Sequence, residues 1–268
     1  MKVIIITGSS DGIGAEIARQ LARSHGAQLA LVLAARNLER LQAVAAECGA
    51  HGAQVLVCQT DVAQQQQCQR LIAATVDRFG RIDVLLNNAG RSAQALFEQV
   101  PDLGWYQQLM NINLWGSVWC THAALPYLKS ARGSIVAVSS LAGLIGVPGR
   151  TAYSASKFAL AGFFEALRVE LKNSGVSVTL AYPGVVATRI RHHGFNAAGG
   201  ELGYSGLKEE HAMPVAQCAR LIIEAMEKRR REVVMSMPGK AARLLKLLAP
   251  GLVENMALAA LKDDVKPH

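Results

Sequence analysis

Short, continuous apolar segments alternate with helical patterns along almost the whole chain. The apolar segments are KVIIIT, AQLALVLAA, AQVLVCQ, IDVLLNNAG, GSIVAVSS, VSVTLAYPG and REVVMSM. Helical patterns lie between them at about 13–25, 38–48, 63–79, 103–128, 153–172 and 214–228. Apolar strands separated by helices are typical of a parallel sheet with both faces covered. We therefore predict an α/β fold: a single Rossmann-like, doubly wound domain whose seven-stranded parallel sheet carries helices on both faces.

The domain organisation predicted from the sequence is simple. The 268 residues contain no internal repeat and no linker, so we expect one domain over 1–268. It divides into a cofactor-binding and catalytic core (1–186), a substrate lid with few anchors (187–213) and a C-terminal amphipathic extension (238–268). KVIIIT is too short for a secretory signal, and no apolar segment reaches the ~18 residues of a membrane span. We expect a cytoplasmic protein.

The composition argues against several classes of site. Five scattered cysteines without a C-x-x-C pair indicate free thiols and no metal site. His192 and His193 are adjacent, which favours loop residues over substrate contacts. The formal net charge of +8 is concentrated in 228–246, where seven basic residues accompany one Glu. Because aromatic residues are not interleaved with these charges, we expect no nucleic-acid binding.

Two motifs indicate where a functional site could lie. TGSSDGIG (7–14) joins the first strand to the first helix, where glycines let the main chain approach a pyrophosphate at a helix N-terminus. An ordinary turn is the alternative, and the position favours dinucleotide binding. In TAYSASKFAL (151–160), Tyr153 and Lys157 lie on one helical face, although this spacing alone is a weak signal.

Six motifs in order resemble the classical short-chain dehydrogenase/reductase family. They are G-x-x-x-G-x-G in the first turn, NNAG (87–90), NINLWG with Asn113, the pair Ser139 and Ser140, YSASK (153–157), and Pro183 and Gly184 followed by Thr188. The chain looks closest to the branch of 11β-hydroxysteroid dehydrogenase-like reductases and dehydrogenase/reductase members 7 and 7B. The stretches GFFEALRVEL, REVVMSM and LLKLLAPGL support that likeness.

The resemblance implies a catalytic set and reversible hydride transfer between nicotinamide and a carbonyl carbon. The set is Asn113, Ser140, Tyr153 and Lys157, with Ser139 and Asn111 as weaker alternatives. Tyr153 would exchange a proton with the substrate oxygen, Ser140 would polarise that oxygen, and Asn113 would hold a water. We expect Lys157 to lower the pKa of the Tyr153 phenol, because a nearby ammonium favours the phenolate.

The resemblance also implies the residues that contact the cofactor. They are Thr7, Gly8, Ser10, Gly12, Ile13, Gly14, Arg36, Asp61, Val62, Asn88, Ala89, Gly90, Tyr153, Lys157, Pro183, Gly184, Val186 and Thr188. Asp61 would bind the adenine amino group, and a helix N-cap is its alternative role.

NADP is the predicted cofactor. The second strand ends at the apolar Ala35, followed by Arg36, which can pair with a 2′-phosphate. Two features oppose this: Asp11 lies where many NADP-preferring relatives have a basic residue, and the segment before Arg36 looks about two residues too long.

We expect a carbonyl reductase or alcohol dehydrogenase that acts on a hydrophobic, lipid- or steroid-like substrate. Apolar side chains suggest the pocket, although ordinary packing explains them equally well: Leu141, Leu144, Ile145, Val147 and Val185. The alternatives are a catalytically weak NADP-binding sensor and an NAD-dependent alcohol dehydrogenase.

Two interaction surfaces are predicted. The helices at 103–128 and 153–172 resemble those that pair subunits, which suggests a homodimer or homotetramer; Phe163, Phe164 and Leu167 would contribute, or lie in the core. The C-terminal leucines with Arg243 and Lys246 either complete the globule or contact a membrane surface peripherally.

Overall fold

The computed structural model of the chain describes residues 1–205 and 212–264. Seven parallel strands form one sheet: β1 (Lys2–Thr7), β2 (Leu29–Ala35), β3 (Gln54–Gln59), β4 (Val84–Asn87), β5 (Ser134–Val138), β6 (Ser177–Tyr182) and β7 (Glu232–Val234). Their spatial order is β3-β2-β1-β4-β5-β6-β7, which confirms the predicted seven-stranded parallel sheet. The order reverses between β1 and β4, and ligands bind at such a switch point in doubly wound sheets.

Helices cover both faces of the sheet. They are α1 (Gly12–His25), α2 (Leu38–Ala50), α3 (Gln65–Phe79), α4 (Gly104–Met110), α5 (Gly116–Ser130), α6 (Thr151–Glu170), α7 (Val215–Glu227), α8 (Met237–Leu248) and α9 (Pro250–Asp264). Buried side chains of α3, α5 and α6 pack on one face, and those of α1, α2 and α7 pack on the other. Along β1, Val3 and Ile5 belong to the first cluster and Ile4 and Ile6 to the second, because successive strand residues point to opposite faces.

The single long helix predicted for 103–128 is interrupted. A π-helical turn at Asn111–Trp115 separates α4 from α5, and it carries Asn113. Such turns shift the helical register locally and are frequent at functional sites. The apolar periodicity continues through the turn, which is why the sequence predicts no break there.

The segment before Arg36 is long for a physical reason. A 3₁₀ turn at Gly26–Gln28 precedes β2 and takes up the additional residues. Thr7 of β1 is then opposite Ala34 of β2, and Arg36 directly follows the end of the strand. The predicted position of Arg36 after β2 is therefore confirmed, and the strand register is not shifted.

The C-terminal extension docks on the core through α8. Gly239 lies against Leu141, and the Lys246 Nζ donates to the Leu144 carbonyl at 2.9 Å. The chain bends at Ala249, and Pro250 begins α9. Among the described residues, the model contains no helix whose length and apolar character would suit a membrane crossing.

Candidate active site

The turn after β1 is built around close main-chain contacts. Gly8 has φ of +67°, and a side chain there would lie 2.8 Å from the Cα atom of Ala89. A side chain at Gly14 would collide with the Gly8 carbonyl and the Asn88 amide. Helix α1 starts at Gly12, whose N–H donates to the Asp11 carboxylate at 2.8 Å. The glycines thus bring main chain and a helix N-terminus to one small concave surface, which suits a phosphate group.

Asn88 and Thr7 join the ends of the two central strands. The Asn88 Nδ2 donates to the carbonyl oxygens of Thr7 and Gly8, at 3.0 and 3.1 Å. The main-chain N–H groups of Asn88 and Ala89 both donate to the Thr7 hydroxyl, each at 3.1 Å. These four bonds hold NNAG against the glycine-rich turn, so the two motifs form one site.

Asp61 lies in a turn beyond β3. Its carboxylate accepts from the Ala63 N–H at 3.0 Å, and its own N–H donates to the Gln67 side chain at 2.8 Å. Helix α3 begins only at Gln65, so the alternative role of Asp61 as the helix N-cap is wrong. Val62 is buried, and Gly116 leaves the room that its side chain needs.

The charges around the end of β2 are mostly arginines. Arg36 is exposed, and its carbonyl accepts from the Gln59 side chain at 3.0 Å. The Asp11 carboxylate accepts from Arg189 at 2.7 Å and from Arg40 at 3.5 Å. Burial alone would raise the pKa of Asp11, but hydrogen bonds from Arg189 and Gly12 and the charges of both arginines lower it overall. Asp11 is therefore an ionised partner of two arginines.

The geometry distinguishes the two serines after β5. The Ser140 side chain caps the 3₁₀ turn Leu141–Gly143, accepting from the Ala142 N–H at 3.2 Å, and it lies near enough to the Tyr153 phenol to act on its pKa. The Ser139 hydroxyl is buried and donates to the Lys157 carbonyl at 3.1 Å. Ser140 thus faces the tyrosine, whereas Ser139 faces the main chain of α6.

Lys157 lies one turn beyond Tyr153 on α6, with 4% of its surface exposed. Its Nζ donates to the Val138 carbonyl at 2.9 Å and lies 5.9 Å from the centre of the Tyr153 ring. Burial lowers the pKa of Lys157 to about 8. Gly90 lies beside it, since a side chain there would come within 3.4 Å of the Nζ.

The electrostatic environment of Tyr153 differs from the expectation. Burial raises the pKa of the Tyr153 phenol, and the Ser140 side chain and the charges of Arg150 and Arg191 offset only part of that effect. The expected lowering of the Tyr153 pKa by Lys157 is therefore wrong. The physical reason is that removing a phenolate from water costs more free energy than these cations contribute by stabilising it.

Asn113 connects α6 to the NNAG loop. Its buried side chain accepts from the Arg91 N–H at 2.8 Å and donates to the Arg91 carbonyl at 3.0 Å and the Ser156 hydroxyl at 2.9 Å. The Ser156 hydroxyl donates in turn to the Tyr153 carbonyl at 2.8 Å. Asn111 instead accepts from the Gln107 side chain at 2.9 Å, so Asn113 is the asparagine that lies in the site.

The loop after β6 lies beside both halves of the site. The Pro183 carbonyl accepts from the Leu141 N–H at 2.9 Å, and Gly184 lies against the Leu141 side chain. Val186 is buried, and the Thr188 methyl group lies 3.4 Å from the position that a Gly12 side chain would take. The remaining members of the predicted set, Ser10 and Ile13, lie half-buried in the glycine-rich turn and the first turn of α1.

The described part of the predicted lid is well anchored, so the expectation of few anchors is wrong there. The Trp105 Nε1 donates to the Ala197 carbonyl at 3.2 Å, and Phe195 pairs with the main chain of Ser92 and Gln94. His192 and His193 make contacts inside the loop, with Gly203 and Glu201. Residues 206–211 of the predicted lid lie outside the described residues.

Apolar side chains beside Ser140 have mixed roles. The five predicted pocket residues, Leu141, Leu144, Ile145, Val147 and Val185, are all half-buried. Leu141 and Leu144 pack against the core, which accords with the packing alternative for those two.

Sequence reasoning missed three arginines. Arg91 directly follows NNAG and Arg150 precedes Tyr153 by three positions, so their spacing to motifs was an available signal. Arg150 donates to the side chains of Ser92 and Gln94, at 3.3 and 3.2 Å. Arg191 is buried and reaches the site only through the folding of the loop. Among the described residues, no group of three or more potential metal ligands lies together.

Comparisons with known proteins agree on one family. A family model described as short chain dehydrogenase matches residues 2–198. The 11-beta-hydroxysteroid dehydrogenase-like 4A of Arabidopsis thaliana is 45% identical over 186 residues, which are 69% of this chain and 61% of that protein. The 11-beta-hydroxysteroid dehydrogenase 1A of the same plant is 36% identical over 94% of this chain and 73% of its own. The match with the first relative thus spans less than two thirds of its length.

Solved structures match over most of the chain. A short chain dehydrogenase/reductase from Burkholderia phymatum in complex with NAD has a TM-score of 0.82 at 26% identity and covers 94% of both chains. An alcohol dehydrogenase from Thermococcus sibiricus complexed with 5-hydroxy-NADP has a TM-score of 0.74 at 27% identity, covering 87% of this chain and 95% of its own.

The buried ammonium of Lys157 predicts a dependence of stability on pH. Below about pH 8 the lysine is protonated in both states, and burial of its charge destabilises the fold. Between pH 8 and the ordinary pKa of 10.5, the folded protein has released this proton while the unfolded chain keeps it, so stability rises with pH. Relative to Lys157→Met, the cofactor-free parent should gain about 2 kcal/mol in unfolding free energy between about pH 7.5 and 9.5.

Urea denaturation at constant protein concentration measures this difference. Lys172→Met, which removes an exposed lysine just beyond α6, is the control and should track the parent at every pH. A parent and Lys157→Met pair that differ by the same amount throughout the range would contradict the assignment.

Proposed function

The chain belongs to the short chain dehydrogenase family, and from this we propose that it is an NADP(H)-dependent oxidoreductase that transfers a hydride reversibly between nicotinamide and a ketone or secondary alcohol. The observation that carries the proposal is the arrangement of Tyr153 with the buried Lys157, whose Nζ lies 5.9 Å from the centre of the tyrosine ring, beside Ser140. The likeness to the 11β-hydroxysteroid dehydrogenase-like branch is confirmed by relatives at 34–45% identity. The carbonyl class of the substrate follows from the family.

The residues at the switch point fit a dinucleotide. The glycine-rich turn has no side chains that would fill its concave surface, and it ends at a helix N-terminus. Thr7, Gly8, Ser10, Gly12, Ile13 and Gly14 would surround the pyrophosphate, and Asp61 and Val62 would lie at the adenine. Asn88, Ala89, Gly90, Pro183, Gly184, Val186 and Thr188 would line the remaining length. When bound, the cofactor supplies or accepts the hydride.

The side chains of the site would bind the substrate oxygen, exchange its proton and position the reacting groups. Ser140 would donate a hydrogen bond to the substrate oxygen and hold it beside the Tyr153 hydroxyl, which exchanges the proton. The Tyr153 phenol, whose pKa burial raises, is protonated at neutral pH and can donate this proton in the reductive direction. Lys157 would bind the nicotinamide ribose and add a positive charge near the phenol. Asn113 would act by positioning, through its bonds to Arg91 and Ser156.

The choice of NADP has a specific basis. Arg36 is exposed directly after β2, Ala35 carries no carboxylate, and Asp11 is paired with Arg189 and Arg40. An arginine can pair with a 2′-phosphate there. The NAD-bound structural relative favours the second candidate, an NAD-dependent alcohol dehydrogenase.

A hydrophobic, lipid- or steroid-like substrate is supported by the half-buried apolar side chains near Ser140 and by the names of the relatives. A catalytically weak NADP-binding sensor would bind NADPH without turnover on a panel of ketones and alcohols.

Assembly into a homodimer or homotetramer completes the proposal. Phe164 and Leu167 are buried in the core, so their suggested role in subunit pairing is wrong. Other side chains on the same helices are exposed instead and suit an interface: Trp115, Tyr127, Phe158 and Val169. Light scattering at micromolar concentration measures the mass.

Removing the Tyr153 hydroxyl tests the catalytic assignment. Tyr153→Phe removes the proton donor and little volume, so turnover should fall at least ~10²-fold. The dissociation constant for NADPH, measured by its fluorescence, should stay within about threefold. Tyr106→Phe is the matched control, since among the described residues the Tyr106 hydroxyl bonds only to Thr151, the first residue of α6, and its removal should leave turnover unchanged. Near-normal turnover in Tyr153→Phe would refute the mechanism.

Reversing the charge at Arg36 tests the cofactor. Arg36→Asp loses the pairing with a 2′-phosphate and adds repulsion, so NADPH affinity should fall at least ~10-fold. NADH, which lacks this phosphate, should bind as well as it does to the parent. Arg70→Asp, on the exposed surface of α3, is the control for net charge. Equal NADPH affinity in parent and Arg36→Asp would place the phosphate elsewhere.

The C-terminal extension offers an apolar surface whose charges are engaged within the protein. Arg243 pairs with Glu232, and Lys246 bonds to Leu144 and lies 4.9 Å from the Phe158 ring centre. Leu244, Leu247 and Leu248 are instead exposed, by 65, 79 and 85%. We extend the proposal to peripheral membrane contact through these leucines of α8.

Vesicle co-sedimentation tests the membrane proposal. Leu247→Ser combined with Leu248→Ser should lower the bound fraction severalfold, because both side chains lose apolar area available to the lipid. Leu38→Ser, at an exposed apolar position at the start of α2, should bind like the parent. A parent that binds no vesicles, or a double variant that binds normally, would refute it.

A further inference from the structure

Arg91 is fixed at its main chain by the catalytic network. It directly follows NNAG at the end of β4. Both of its main-chain polar groups bond to the buried side chain of Asn113, at 2.8 and 3.0 Å. Through Ser156, the same side chain reaches the Tyr153 carbonyl. The position of the Arg91 Cα atom is therefore set by the residues that surround the catalytic tyrosine.

The Arg91 side chain has a different set of partners, which all lie in 187–205. Its guanidinium carbon lies 3.7 Å from the centre of the Phe195 ring, and its Nε donates to the His193 carbonyl at 2.7 Å. Its Nη2 lies 4.0 Å from the Glu201 carboxylate. One side chain thus contacts three residues spread over nine positions of the segment.

The surroundings explain why an arginine occupies this place. Phe195 packs in a small apolar cluster with Ala93, Trp105, Leu109 and Ala152, which leaves one face of its ring for the guanidinium. A planar guanidinium can stack on a ring and donate in its own plane, whereas an ammonium cannot do both. Burial lowers the pKa of Arg91, Arg36 acts in the same direction, and Glu201 opposes them. The contacts with Phe195, His193 and Glu201 hold the Arg91 guanidinium in place although burial disfavours its charged form.

We propose that Arg91 is a positioning residue that ties 187–205 to the Asn113–Ser156–Tyr153 network, so that this segment is already in place when a substrate arrives. Its main chain belongs to the catalytic framework, and its side chain belongs to the wall of the substrate site. The part of the proposal that concerns substrate rests on the proposed oxidoreductase function. The proposal that Arg91 holds 187–205 in place does not depend on that function.

Hydrogen exchange measured by mass spectrometry tests the tie directly in the full-length protein. Arg91→Gln should speed exchange in peptides from 187–205 about tenfold, as expected from the loss of one charge-assisted hydrogen bond and the stacking. Arg91→Lys, which keeps the charge and loses the stacked plane, should lie between Arg91→Gln and the parent. Peptides from α6 should be unaffected.

Arg168→Gln is the matched control. Arg168 is also a half-buried arginine that donates to main-chain carbonyls, those of Val178 and Arg231, on a different part of the sheet. It should leave exchange in 187–205 at the parent rate. Should Arg91→Gln fail to fold, Phe195→Leu removes the stacked ring and should also speed exchange. Unchanged exchange in the folded variants would overturn the proposal.

Kinetics separate this proposal from the proposed function. With a carbonyl substrate that the parent reduces, Arg91→Gln should raise KM about tenfold and change kcat and the NADPH dissociation constant by less than about threefold. An unchanged KM beside faster exchange would overturn the substrate part alone. A parent that turns over no carbonyl would refute the proposed function, while the exchange result would still decide whether Arg91 holds the segment.

Discussion

Four hydrogen bonds between the ends of β1 and β4 hold the site together. Three of them join Thr7 to Asn88 and Ala89 and the fourth joins Gly8 to Asn88, at the point where the strand order reverses. The turn before α1 can be both open and glycine-rich because Asn88, rather than a side chain of the turn itself, satisfies its carbonyl groups. The concave surface therefore combines accessible main chain with a fixed shape, which a flexible glycine loop would not have.

Burial changes the pKa values of two side chains on α6, Lys157 and Tyr153, in opposite directions. Lys157 is held by the Val138 carbonyl and loses part of its preference for the charged form, while Tyr153 keeps its proton more firmly. Both shifts have one cause, the burial of the two polar groups, which disfavours the charged form of each. At neutral pH the pair is thus a neutral phenol beside an ammonium whose charge is only moderately favoured.

The sequence predicted the order of the strands along the chain, the site motifs and their convergence, because apolar runs and motif spacing depend on local physics. It could not predict the π-helical turn at Asn111–Trp115, since the apolar period over 103–128 continues through it. It also left Phe164 and Leu167 undecided, because a helix face has the same apolar pattern whether it meets the core or another subunit. Arg191 escaped notice because its nearness to Tyr153 depends on the path of an irregular loop.

The last strand, β7, forms an edge of the sheet and lies next to the C-terminal extension. β7 has three residues and ends the sheet, so its outer main-chain groups would be a template for pairing with another chain. Helix α8 follows it almost at once and is tied back to it by the ion pair of Arg243 with Glu232. The short edge strand limits the length over which another chain could pair with the sheet, and the ion pair joins the extension to this edge, whatever its leucines contact.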